Sequence, residues 1–183
     1  MRKIFSILFL TIIIIGCRCE NTETIYTLTD QEKSIIPYLL QDTVRWNDNN
    51  NNTYNGIVTN SKEDYFFDSG IGEECISLKF NYLLKDILIN NIKYSVVLNK
   101  RDEYTLHLSI QEYDNDKIIK SFITSITLDS FTIIEFNGET YENAVLLKES
   151  VLDGMPFGHL IYSKTHGIEF ILFEDGTWYK RVE

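Results

Sequence analysis

The sequence predicts a mainly β protein, built as an antiparallel meander that curls into a half-barrel, barrel or sandwich and carries one short N-terminal helix. Three observations predict this fold. Apolar and polar residues alternate through much of the segment 76–128, as expected of strands with one buried and one solvated face. Short polar turns separate the alternating segments, and such turns join antiparallel neighbours. Asn137-Gly138 and Asp175-Gly176 are strong signals for tight hairpin turns.

The helix is predicted at the start of the folded body. Thr29 and Glu32 have the spacing of a capping box, in which the threonine oxygen accepts a backbone amide and the glutamate reaches back to the amide of the cap. Asp30 would lie at the positive end of the helix dipole. Pro37 lacks an amide hydrogen and biases the residue before it away from helical angles. We therefore expect about two helical turns, ending near Pro37.

The strands are predicted in order along the rest of the chain. The first two are 43–47 and 53–59, and Asn55-Gly56 suggests a bulge. Four more follow in the alternating segment, and the hairpin signals predict pairs at 131–136 with 139–148 and at 168–173 with 177–182. The buried faces of the four are predicted to carry Ile76, Leu78, Phe80, Tyr82 and Leu84; Ile92, Tyr94, Val96 and Leu98; Tyr104, Leu106, Leu108 and Ile110; and Ile118, Phe122, Ile126 and Leu128. About eight to ten strands result, and their apolar faces must meet in a core.

The start of the chain has the pattern of an export signal. Arg2 and Lys3 precede an apolar run, 4–15, that ends at Gly16-Cys17. As a helix this run would be about 18 Å long, against about 30 Å of bilayer hydrocarbon, which is too short for a comfortable permanent span. The end of the run resembles the lipobox of bacterial lipoproteins, which implies a diacylglyceryl group on the Cys17 thiol, removal of residues 1–16 and acylation of the new amino terminus. An ordinary secretory signal and an uncleaved anchor are the alternatives.

The predicted organisation is a lipoprotein signal peptide at 1–16, a lipidated stem at 17–28 and a single β-rich domain at 29–183. The stem is polar and shows neither the helical nor the strand period. Without the signal the chain has 167 residues, the length expected of one domain with a substantial core. Arg18 stands where lipoproteins retained at the inner membrane of enteric bacteria carry aspartate. By this resemblance the outer membrane is expected, and its leaflet is left open.

Charge and cysteine content limit the partners. Loss of Arg2 and Lys3 with the signal would change the net charge from −10 to −12, which argues against nucleic acid and against anionic lipid headgroups as partners. If Cys17 carries lipid, the only possible disulfide joins Cys19 to Cys75. Alternatively, Cys19 is a flexible stem residue and Cys75 a small buried one.

Three segments, 28–38, 136–144 and 160–168, resemble motifs of small lipoproteins of Bacteroidetes-type bacteria. This resemblance implies an envelope location and a β-rich architecture, and it carries no known activity, cofactor or catalytic residue. Asp42-Thr43-Val44 also resembles the O-glycosylation acceptor motif of these bacteria, which makes Thr43 a possible modification site.

The residues able to carry chemistry form no recognised motif. Asp48, Asn50 and Asn52 have the alternate spacing of a calcium loop, but threonines stand where that loop needs a glycine and a bidentate glutamate, so a solvated loop is expected. No histidine or cysteine pair has the spacing of metal ligands. Ser69 lacks the glycine two positions before it that a nucleophile elbow needs. We predict no catalytic residue, metal or cofactor.

Two functional classes follow from these observations. The first is a membrane-anchored envelope lipoprotein that acts as a non-catalytic binding or structural module for an envelope protein or glycan. The alternative is a carrier of a lipid or other apolar ligand in a cavity of the curved sheet. A core filled by the protein's own side chains would count against the carrier. An enzyme is the third interpretation.

Overall fold

Twelve strands and one short helix form within the part of the chain that the computed structural model describes, residues 22–69, 76–148 and 158–182. In chain order they are β1 (Thr22–Tyr26), α1 (Asp30–Lys33), β2 (Thr43–Asp48), β3 (Thr53–Ser69), β4 (Ile76–Ile89), β5 (Ile92–Lys100), β6 (Leu106–Asp114), β7 (Lys117–Ile126), β8 (Thr132–Phe136), β9 (Glu139–Lys148), β10 (His159–Ser163), β11 (Gly167–Leu172) and β12 (Trp178–Val182). The predicted mainly β fold is confirmed.

All twelve strands belong to one curled sheet with the order β7-β6-β5-β4-β3-β2-β12-β11-β10-β9-β8. Neighbours along this path are antiparallel, whereas β1 pairs with β4 in parallel. The path is two meanders, β2 to β7 and β8 to β12, joined by the pairing of β12 with β2. The sheet stays open, although its curl brings β7 to within 8 Å of β9 between Cα atoms. Of the three predicted arrangements, this one corresponds to the half-barrel.

The helix begins as predicted and ends early. Both hydrogen bonds of the capping box are present, from the backbone nitrogen of Glu32 to the Thr29 hydroxyl and from that of Thr29 to the Glu32 carboxylate. The helix itself spans only Asp30–Lys33. After the helix, the backbone forms 3₁₀-type turns, in which each amide donates to the carbonyl three residues earlier. This conformation places the consecutive residues Ile35 and Ile36 in the core. In a continued α-helix, the side chains of these two consecutive residues would point in different directions.

Two strands were not predicted. The first, β1, lies inside the segment predicted to be a stem, and Leu28 just after it is buried. That prediction was therefore wrong for the described end of the stem, because the folded body begins at least as early as Thr22. The strand occupies the side of β4 that β5 leaves free, and backbone pairing of this kind needs no alternating sequence. The second, β10, has buried residues on both of its faces and so shows no alternation either.

The alternation in β4 was predicted correctly and Phe80 is buried as expected, but from residue 81 onward the buried face is the opposite one. Leu83, Ile87 and Ile89 are buried there, whereas Tyr82 and Leu84 are partly exposed. Two polar residues share the inner face because their polar atoms have partners inside the fold. Asn81 accepts a hydrogen bond from the backbone of Leu28 and donates one to the Asp64 carbonyl, and Lys85 donates to the Ser61 hydroxyl. In β5 to β7 the predicted core residues Tyr94, Val96, Leu98, Leu106, Leu108, Ile110, Phe122 and Ile126 are buried, while Ile118 is exposed. Tyr104, also predicted to be buried, lies before β6 and is exposed.

The space inside the curl is filled by side chains. Trp46, Tyr94, Tyr162 and Phe122 are fully buried in this main core. The segment 28–38 lies against one end of the core, where the Tyr162 hydroxyl donates to the Ile35 carbonyl oxygen at 3.0 Å. A second, smaller cluster is formed by Tyr141, Ala144, Ile161 and Phe170. No helix among the described residues is long and apolar enough to cross a membrane.

Candidate functional site

A polar groove of about 610 Å³ opens where the start of β9, the turn between β10 and β11, and the end of β12 come together. It adjoins the second cluster, because Tyr141 belongs to both. Its volume is in the range usual for sites that bind small ligands. Its lining contains three carboxylates, two permanent cations, an imidazole, a phenol, an amide and two hydroxyls. They belong to Glu139, Thr140, Tyr141, Glu142, Asn143, Thr165, His166, Glu169, Lys180 and Arg181.

Glu169 organises the turn at one side of the groove. It occupies the irregular position of β11, where the register with β10 shifts after Ile161, and this turns its side chain toward the end of β10. One oxygen, Oε1, accepts a hydrogen bond from the Ser163 hydroxyl at 2.7 Å and lies 2.8 Å from Nδ1 of His166. The backbone nitrogen of His166 donates to the same Ser163 hydroxyl at 2.9 Å. The carboxylate therefore fixes both the turn and the imidazole.

Two basic residues of β12 tie the other parts of the groove together. Lys180 lies 2.7 Å from Oε1 of Glu139, which connects β12 to the start of β9. Arg181 donates to the backbone carbonyl of His166, which connects β12 to the turn before β11. The groove thus carries charges of both signs, three carboxylates and two permanent cations.

Tyr141 forms part of the groove wall and is only 7% exposed. Burial raises the pKa of its phenol to about 12, with a further contribution from the carboxylates of Glu139 and Glu169, so the phenol keeps its proton at neutral pH. Among the residues that the structure describes, its hydroxyl has no hydrogen-bond partner. A buried hydroxyl without a partner costs about 1–3 kcal/mol, so Tyr141 is a position where the fold gives up stability beside the groove.

Comparison with known proteins adds no assignment. No model of a known protein family matches this chain, and no curated protein or solved structure matches it either. The groove is therefore interpreted from its own residues.

A second groove, of about 490 Å³, lies between β6, β7 and the turn before β12. Its charged groups are largely engaged within the protein. The ammonium of Lys120 lies 4.0 Å from the centre of the Phe173 ring, and the buried Glu112 carboxylate accepts from the Tyr94 hydroxyl at 3.2 Å. It is the weaker candidate for a ligand site.

Of the site residues predicted from the sequence, only Thr43 is among the described residues, and it does not line the groove. Cys17, Cys19 and Cys75, the predicted lipidation and disulfide positions, lie outside the described residues. Thr43, the possible glycosylation site, is the first residue of β2 and is exposed. Its modification stays a prediction.

The loop after β2, predicted to be solvated, is held by hydrogen bonds to Asp48, the residue at which it starts. The Asp48 carboxylate accepts from the backbone nitrogens of Asn50 and Asn52, from the Asn52 side chain and from the Tyr54 hydroxyl. The bonds from Asn52, followed by those from Asn50 and Tyr54, lower the pKa of Asp48 despite a partial loss of solvation. Within the described ranges, no three histidine, cysteine or acidic residues are grouped so that they could hold a metal ion.

Sequence reasoning missed the groove itself. The sequence predicts Tyr141 as part of a strand and assigns no role to His166. Both lie in segments, 136–144 and 160–168, that resemble lipoprotein motifs, but this resemblance carries no binding or catalytic role. The only signal was the Asn137-Gly138 hairpin, which correctly placed the start of β9 but could not show what lies beside it.

Proposed function

We propose that this protein is an exported lipoprotein, anchored to the outer membrane through Cys17, whose β-rich body binds an envelope glycan without transforming it. The anchor rests on the basic residues, apolar run and Gly16-Cys17 at the start of the sequence. The structure is compatible with a short tether, since the first described strand begins at Thr22, five positions after Cys17. Two or more acyl chains would hold such a domain stably on a membrane.

The observation that carries the binding proposal is the composition of the groove around Tyr141. Sugar hydroxyls both donate and accept hydrogen bonds, and the groove offers carboxylates, cations, an amide and hydroxyls within one volume of about 610 Å³. A protein partner would instead favour a flatter surface with an apolar, aromatic centre. The phenol ring of this groove is nine-tenths buried, so its accessible lining comes almost entirely from polar and charged residues. A hydroxyl-rich ligand fits it better than a protein surface does.

Binding rather than catalysis is proposed because of the state of Ser163. Its hydroxyl is fully buried and already donates to Glu169, while the imidazole of His166 faces the same carboxylate oxygen. A nucleophilic serine needs an exposed hydroxyl whose proton passes to an adjacent base. Here the serine instead stabilises the turn.

The carrier alternative receives less support from the packing. A carrier needs a cavity lined by apolar side chains, whereas bulky residues such as Trp46, Tyr94 and Phe122 occupy the inside of the curl. The groove that is open at the surface is polar. We therefore do not propose an apolar ligand.

Calorimetric titration with polysaccharide fragments from the envelope of the source organism tests the proposal. Glu142 is exposed and lines the groove, so Glu142→Gln should weaken binding without lowering the free energy of unfolding. Glu135→Gln is the matched control, because Glu135 is equally an exposed strand glutamate but lies on β8, outside the groove. Binding that is equally strong in both variants, or no binding to any fragment, would contradict the proposal.

A further inference from the structure

Strands β3 and β4 extend beyond their neighbours and form an arm. Strand β2 pairs with β3 only at 53–57, and β5 pairs with β4 only from Tyr82 onward. The outer parts, 65–69 of β3 and 77–81 of β4, pair with each other, and β1 adds a third strand along 76–80. We refer to these three segments as the arm.

One face of the arm carries an exposed apolar row. Ile25, Lys79 and Phe67 lie directly opposite one another across β1, β4 and β3, and opposed residues of a sheet share a face. Ile25 is 49% exposed and Phe67 is 63% exposed. The ammonium of Lys79 lies 4.9 Å from the ring centres of both Phe67 and Tyr65. The row therefore presents an aliphatic side chain, an aromatic ring and a cation side by side.

On the opposite face of the arm, aromatic side chains pack against one another. Tyr26 stacks on Phe80 with ring centres 5.9 Å apart, and Phe66 lies 5.0 Å from the same ring. Phe80 is buried as a result. This aromatic packing stiffens the arm, so the exposed row on the other face is held in a fixed arrangement.

The described part of the chain begins at the end of the arm, with Thr22. Because β1 runs parallel to β4 with Thr22 opposite Ile76, the residues before Thr22 continue from the end at which β4 begins. Five positions separate Cys17 from Thr22, and at about 3.4 Å per residue they span at most about 17 Å. A lipid on Cys17 would keep the end of the arm within about that distance of the headgroups. Ile25 lies three positions further on, about 10 Å along the strand.

From this arrangement we infer that the exposed row of the arm, Ile25 with Phe67 and Lys79, docks into the interfacial layer of the membrane that holds the Cys17 lipid. The inference rests on the proposed lipid anchor. Aromatic and aliphatic side chains enter this layer, and a lysine beside them keeps its ammonium at the level of the headgroups. The exposed carboxylates of Glu23 and Asp68 lie closer to the end of the arm and favour shallow contact with zwitterionic rather than anionic lipid.

Fluorescence of the full, acylated protein in phosphatidylcholine vesicles tests the inference. In Phe67→Trp the introduced indole should emit at shorter wavelength on vesicle binding and lose intensity when the acyl chains carry bromine. Ile133→Trp is the matched control, because Ile133 is 68% exposed on β8, at one end of the sheet order. Its emission should change little, after subtraction of the signal of the native protein, which contains Trp46 and Trp178.

Two further readouts separate the arm from the anchor. Intact mass and co-flotation with vesicles report on the Cys17 lipid. If the protein is acylated and floats, but Phe67→Trp is quenched no more than Ile133→Trp, the inference about the arm is overturned and the proposed anchor stands. If Cys17 is unmodified, both are overturned. A Phe67→Trp emission shift caused by an envelope glycan or protein, without quenching by brominated lipid, would show that the row serves another partner and would also overturn the inference.

Discussion

The hydroxyl oxygen of Tyr38 accepts a hydrogen bond of 2.6 Å from the backbone nitrogen of Ile168. This bond joins the segment after α1 to the start of β11, and the adjacent Gly167 lets the buried tyrosine ring approach the backbone closely. A Cβ atom at Gly167 would lie 2.2 Å from the ring and hydroxyl of Tyr38. Burial raises the pKa of the Tyr38 phenol well above its usual value, so the group stays neutral. The pair fixes one end of the core.

Gly167→Ala should therefore lower the free energy of unfolding by about 2–4 kcal/mol. The substitution combines strain at a backbone φ of +79° with a clash against a buried ring. Gly138→Ala is the matched control, because Gly138 has the same φ of +79° and no neighbour within 4 Å of the added methyl group. It should cost only about 1–2 kcal/mol in urea unfolding, the backbone strain alone. Equal costs for the two variants would show that the contact with Tyr38 does not restrain the fold.

Tyr162→Phe and Tyr141→Phe should have opposite outcomes although both remove a buried phenol oxygen. The Tyr162 hydroxyl donates to the buried Ile35 carbonyl, and its loss leaves that acceptor unpaired, at a cost of about 1–3 kcal/mol. The Tyr141 hydroxyl has no partner among the described residues, so its removal should leave the free energy of unfolding unchanged or raise it. Chemical denaturation of the two variants measures the difference. A large loss in Tyr141→Phe would mean that its hydroxyl is bonded inside the fold.

Stability should fall in acid partly through Glu32. Burial would raise the pKa of this carboxyl, but hydrogen bonds from Lys100 at 2.7 Å and from Thr29 outweigh burial and lower the pKa below its usual 4.5. Because the folded-state pKa is the lower one, the interaction stabilises the fold above pH 4.5 and is lost as the pH falls through the folded-state pKa. Glu32→Gln should thus be less stable than the native protein at neutral pH, and the difference should shrink below pH 4.5.

Glu103→Gln, which changes an exposed glutamate, serves as the control for the acid series. It should follow the native pH profile. The urea unfolding midpoints of the three proteins should be measured from neutral pH down to pH 3. A difference between Glu32→Gln and the native protein that stays constant over this range would contradict the role of Glu32.

Sequence patterns predicted the parts of the fold in which each strand has one wet face. Strands β5 to β7 bury most of the expected residues, with Ile118 as an exception, and the turn at Asn137-Gly138 adopts the positive φ angles that a tight hairpin needs. The predictions failed in strands where contacts with distant segments, rather than the local alternation, determine which residues are buried. In β4, Asn81 and Lys85 are buried because partners from distant segments satisfy them, and such partners leave no trace in the local sequence.

The groove was unpredictable for a related reason. Glu139, His166 and Arg181 each look like a solvated residue in the linear sequence, and only the order of β9 to β12 in the sheet brings them together. The length of the arm was also hidden, since β3 continues through a polar stretch, 60–64, that β4 supports by backbone pairing. Pairing between distant strands, rather than local propensity, determines both features.

The mass of the intact protein extracted from the membranes of its source organism tests the central claim most directly. The claim predicts a chain that begins at Cys17, lacks residues 1–16 and carries three acyl chains on that cysteine. A chain with an unmodified Cys17, or one that retains residues 1–16, would contradict it.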